Sequence, residues 1–125
     1  MRNTVVVLLA AAFAVNCASS GPPVAPAMVS ETEAAVRRAE AAGAGQFAPD
    51  LLGKARRAWD EARLASSRGD GEVARRRYVE ALEYAEAAEA KANAERMKSE
   101  AAALRQQADE LEAKTRRLRE QSRNP

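Results

Sequence analysis

From Glu72 to Asn124 the chain contains neither glycine nor proline, the two residues that cost a helix interior about 1 and 3 kcal/mol relative to alanine. A run of this length, rich in Ala, Glu, Arg and Lys, specifies one continuous helix. At 1.5 Å per residue, about 50 residues make a rod near 75 Å long. The remainder of a 125-residue chain is too short to cover such a rod, so its outer half is expected to be solvated or to meet a partner. Composition agrees: aromatic residues are only 4% and charged residues 30% of the chain, a balance typical of exposed helix and coiled coil rather than of sheet. The expected fold class is all-α.

Punctuation upstream of the rod predicts two shorter helices. Ser30-Glu31-Thr32-Glu33 reads as a capping box, with Ser30 accepting from the backbone N–H of Glu33 and Glu33 reaching back. The helix it opens carries Thr32, Ala35, Val36, Ala39 and Ala42 on one side at helical period, and Gly43-Ala44-Gly45 ends it. Pro49 suits the first position of the next helix, Asp50 complements its positive end, and Phe47 is placed to staple onto Leu52. That helix runs to about Arg68, with Leu51, Leu52, Ala55, Ala58, Trp59, Ala62 and Ala65 as its buried face. Gly53 weakens it intrinsically, and its presence suggests close contact with another helix. Gly69 supplies a left-handed terminus and Asp70 a cap for the rod that follows.

Within the rod, Met97, Leu104, Leu111 and Leu118 recur every seven residues, with Ala94, Ala101, Ala108 and Thr115 between them. This is the seam of a coiled coil about three heptads long. Folding back on the shorter helices would account only for its proximal part, and the distal part is solvated or meets a partner. In a parallel pair Glu100 would attract Arg105 and Lys114 would repel Arg119, so self-association and association with a different protein both remain open. Lys114, Arg116, Arg117, Arg119 and Arg123 complement the negative end of the helix. Glu80, Glu83, Glu86 and Glu89 are expected on solvated faces and in ion pairs rather than in acid–base couples.

The second helix and the start of the rod resemble a single tetratricopeptide hairpin. Ala62 stands at the small contact position, Gly69-Asp70 at the turn, and Ala74, Tyr78, Ala81 and Leu82 at the second-helix core positions. Arrays of that type need about three repeats to form a peptide groove, so the hairpin is expected to serve packing. The block from Ser30 to about Arg117 also resembles a family of bacterial lipoproteins that carry an uncharacterised helical domain. The resembling stretches are residues 34–44, Phe47-Ala48-Pro49-Asp50-Leu51-Leu52, Gly69-Asp70 and residues 81–88. Members are often found beside OmpA-like peptidoglycan-binding domains, and the resemblance implies an envelope role without a defined activity.

The N-terminus reads as an export signal. Met1-Arg2-Asn3-Thr4 is a short positive segment, and the apolar run Val5–Val15 is too short for an ordinary membrane span. It ends at Ala14-Val15-Asn16-Cys17, which resembles the lipobox of bacterial lipoproteins. The resemblance implies diacylglycerol on the Cys17 thiol, cleavage before it and acylation of the new amino group. Ala18 after the cysteine points in that family to the outer membrane. Ala12-Phe13-Ala14 also fits ordinary signal-peptidase cleavage, which would release a soluble module acting through the surface around Trp59 and Tyr78. Three acyl chains, at about 0.8 kcal/mol per buried CH₂, would hold the protein to its membrane permanently.

Several functions are disfavoured by what the chain contains. It has no histidine and a single cysteine, which argues against a zinc site, a His-based triad and an internal disulfide. Without Arg2 the exported chain would be nearly neutral, with no field to hold nucleic acid. No cofactor, metal or small-molecule substrate is expected, and no enzymatic activity. The chain therefore divides into a lipoprotein signal peptide at 1–16, a lipidated N-terminus with a Pro-rich, polyproline-like tether at 17–29, a helical hairpin domain at 30–90 and an extended coiled-coil helix at 91–125. The expected partners are the membrane, through Cys17, and a protein or second copy meeting Met97, Leu104, Leu111 and Leu118.

Overall fold

The computed structural model describes residues 21–123, and every regular element among them is helical. The order is α1 (Pro26–Ala41), α2 (Ala44–Phe47), α3 (Pro49–Ser67) and α4 (Gly71–Arg123). The all-α fold with a long last helix is thus as the sequence predicts. The first three helices all pack on the N-terminal part of α4, with α3 making the most extensive contact. The expected signal segment and Cys17 lie outside the described residues.

Alanine makes this packing possible. Ala85, Ala88 and Ala92 of α4 are fully buried against Ala35 and Ala39 of α1 and Ala55 of α3, in a cluster that also holds Val36 and Leu52. With only a methyl group on each, the helices approach closely and interlock. The same methyl groups bury little area, about 0.8 kcal/mol per buried carbon, so the larger groups at the rim matter. Phe47, Leu51, Leu82 and Tyr84 close this cluster from outside. A second cluster nearer the α3–α4 turn groups Ala62, Ala65, Ala74 and Tyr78.

Both chain reversals are made as their glycines predict. Gly43 adopts φ 85° after α1 and Gly69 φ 81° after α3. At the second turn the Asp70 N–H donates to the Ala65 carbonyl at 3.0 Å and the Gly69 N–H to that of Ser66 at 3.1 Å, which satisfies carbonyls that the helix end would leave open. Pro49 opens α3 with Asp50 in its first turn. The residues between Gly43 and Pro49 add a single turn, α2, held by Phe47 N–H and Ala48 N–H donating to Gly43 and Ala44 carbonyls.

The start of α1 differs from expectation. The helix begins at Pro26 rather than at a cap on Ser30, so the last four residues of the expected tether are helical. Ser30 donates its hydroxyl back to the Ala27 carbonyl at 2.9 Å, and Glu33 pairs with Arg37 instead of reaching backward. Pro26 explains the earlier start locally, because its fixed φ and missing N–H suit the first helical position. Packing explains it globally: Val24, Met28 and Val29 lie against the Ala62–Tyr78 cluster. The segment before α1 is docked too. A Cβ on Gly71 would fall 2.2 Å from the Pro22 carbonyl oxygen, to which Arg75 donates at 3.3 Å. Gly53 also departs from expectation. A Cβ there would meet only the Arg57 guanidinium of its own helix, at 3.5 Å, and no other helix approaches.

Candidate interaction surface

The buried face of α4 is Gly71, Ala74, Tyr78, Ala81, Ala85, Ala88 and Ala92. These positions alternate in steps of three and four, so α4 itself uses a heptad-like stripe to hold α1 and α3. The stripe ends at Ala92, and the apolar residues then resume two positions later, at Ala94. Two residues turn an α-helix by about 200°, so the new stripe emerges on the side facing away from the body. Met97 and Leu104 are each 66% exposed, Leu111 65% and Leu118 57%. None of the four reaches α1, α2 or α3. The alternative in which the proximal part of the seam folds back on the shorter helices does not occur: the change of phase directs even Met97 outward.

Charged residues flank this stripe within the same helix. Lys98 donates to Glu95 at 2.9 Å, and Arg96 lies 3.8 Å from Glu100. The Lys98 ammonium, by hydrogen bond first and by charge second, holds the Glu95 carboxyl below its usual range. Further along, Thr115 turns its hydroxyl onto the Leu111 carbonyl at 2.8 Å, leaving its methyl group to the seam. A shallow groove along Ala108, Leu111, Glu112 and Thr115 runs open to solvent.

The body offers less. Its surface ion pairs tie elements together, Arg56 to Glu40 at 2.6 Å, Arg38 to Glu89 at 3.3 Å and Arg77 to Glu61 at 3.0 Å, and Arg77 also pairs within α4 with Glu80 at 2.6 Å. Glu80 and Glu89 are thus engaged in ion pairs. Tyr78 is only 2% exposed, which removes it from any docking surface and leaves Trp59 alone of the pair expected there. Trp59 is half-buried, with its Nε1 lacking an acceptor and Arg63 stacked 5.4 Å from the ring. Thr32, fully buried, donates to the Met28 carbonyl at 2.9 Å and lies 3.5 Å from that of Tyr78, a contact between α1 and α4 that apolar periodicity alone does not reveal.

The chain thus combines a short helical body with a projecting last helix that carries an exposed apolar stripe, and its fold class is all-α. Residues 27–104 match the family described as a domain of unknown function, DUF4398, and the chain belongs to that family. The matched region includes α2, α3, all of α1 except Pro26, and the first half of the seam. No curated protein and no solved structure shows significant similarity to the chain.

Proposed function

We propose that the protein is a non-enzymatic lipoprotein of the bacterial cell envelope, held by lipid on Cys17 to the outer membrane facing the periplasm, and acting as a helical protein-interaction module. One observation carries the interaction reading: four large apolar side chains lie along one face of α4, each more than half exposed. Their own body leaves them to water at a cost of roughly 25 cal/mol per Å² of apolar surface, and contiguous exposed apolar area on a soluble domain marks a contact site. The anchor rests on the apolar run, the lipobox-like Ala14-Val15-Asn16-Cys17 and the absence of any other cysteine to pair with.

Two experiments test the halves separately. Growth with a labelled fatty acid should label the wild-type protein and leave Cys17→Ser unlabelled; an unlabelled wild type removes the anchor. A photo-crosslinking residue at position 104 or 111 should capture a protein in the intact envelope, whereas the same residue at exposed Ser67 should not. Capture that is equal at all three positions removes the seam as the contact.

A further inference from the structure

We infer that the occupant of the leucine stripe is a second copy of this chain, running antiparallel. The inference rests on the reading that the stripe is a protein contact, and adds what covers it. Reading the stripe as a heptad places Ala94, Ala101, Ala108 and Thr115 at the first core position, a, and Met97, Leu104, Leu111 and Leu118 at the second, d. In a parallel pair each core residue meets its own copy, so leucine-on-leucine layers alternate with alanine-on-alanine layers. The leucine layers hold the axes apart and leave the alanine layers underfilled, an arrangement that cores avoid. Reversing one helix pairs a with d throughout: Ala94 with Leu118, Met97 with Thr115, Ala101 with Leu111 and Leu104 with Ala108. Every layer then contains one large and one small side chain, and the separation of the axes is uniform along about 37 Å of contact.

The flanking charges discriminate in the same direction over the seam. In this antiparallel register Glu100 faces Lys114 and Lys98 faces Glu112, each twice by symmetry. Arg105 meets its own copy once at the dyad, and Arg119 comes beside Lys91 at each end. The parallel register gives an attraction, Glu100 with Arg105, that is offset by an equal number of repulsions between Lys114 and Arg119. Opposed helix dipoles favour the antiparallel arrangement further.

The fold accommodates this pairing. In the proposed register Arg123 of one copy comes level with Glu89 of the other, alongside the body. The stripe lies opposite the face that holds α1 and α3, and its backward continuation is Ala90 and Ala87, both exposed and small. The incoming helix end therefore passes along the free back of α4. The two bodies are then held at opposite ends of a rod, each with its N-terminal segment at the outer end of α4.

Full-length protein purified in detergent tests the inference by sedimentation. The expected mass is that of two chains, and a monomer with the seam intact overturns the inference. Orientation is read from cysteine pairs, with the wild type as baseline for Cys17. Ala101→Cys and Leu111→Cys should each fail to crosslink alone and should link when the two variants are mixed; disulfides formed by Ala101→Cys or Leu104→Cys alone establish the parallel pair and overturn it. Charge reversal gives a reading that misfolding cannot imitate. Lys114→Glu should weaken association about threefold to tenfold, and Glu100→Lys added to it should restore affinity, whereas in a parallel pair Lys114→Glu alone would strengthen it. A monomeric protein that still captures another protein at position 104 would overturn this inference and leave the interaction reading intact.

Discussion

Glycines 53 and 69 look equally suspicious in the sequence, and the structure gives them opposite meanings. At Gly69 the backbone is left-handed, φ 81°, a conformation in which a β-branched side chain is strained. Gly69→Val should therefore lower stability by about 1–3 kcal/mol, seen as a fall in the thermal midpoint by circular dichroism; an unchanged midpoint would refute the turn geometry. Gly53 sits within α3 with ordinary helical neighbours and 3.5 Å of room to a flexible guanidinium. Gly53→Ala should raise stability by up to about 1 kcal/mol, or a few degrees in midpoint for a body of this size, roughly 4–8 °C per kcal/mol. A loss of stability would mean that the glycine is needed for an approach the structure does not contain.

For the helices, the decisive quantity is side-chain volume. The α1–α4 and α3–α4 interfaces are spaced for alanine, and Ala85 has no exposed surface. Ala85→Leu should cost about 1–3 kcal/mol through overpacking, measured as a lower denaturant midpoint with an unchanged slope. Ala103→Leu, on an exposed face of the same helix, should change stability by no more than about 0.5 kcal/mol. Equal effects at the two sites would contradict the close packing. The N-terminus of α1 shows the reverse relation between pattern and volume. A capping box at Ser30 is a local signal worth about 1 kcal/mol, and burial of Val24, Met28 and Val29 on the second cluster outweighs it. Which local signal yields is set by partners more than 30 residues away, and no window of sequence contains them.

Across the whole molecule, the packed core and the exposed stripe occupy different parts of the same helix. Among the described residues, every buried one lies between Thr32 and Ala92, while the exposed stripe begins beyond that span. Leu104→Asp with Leu111→Asp should therefore abolish association by light scattering, yet leave the denaturant midpoint of the body within about 0.5 kcal/mol of wild type. A destabilised body would show that the seam supports the fold, and an unchanged associated mass would show that it is idle. The family match, residues 27–104, runs past the core and ends within the stripe, at Leu104.

The helices and their turns were legible because their causes are local. A long run without glycine or proline has few alternatives to helix, and the glycines at 43 and 69 mark places where only a left-handed residue closes the end. The leucine repeat was equally plain, since side chains seven apart share a face whatever surrounds them. Its direction was not. Two alanine-rich stripes run along α4 with a two-residue change of phase between Ala92 and Ala94, and which of them is covered depends on where α1 and α3 settle. Alanine is compatible with burial, exposure and close contact alike, so only the packed structure could assign one stripe to the protein's own core and leave the other to solvent.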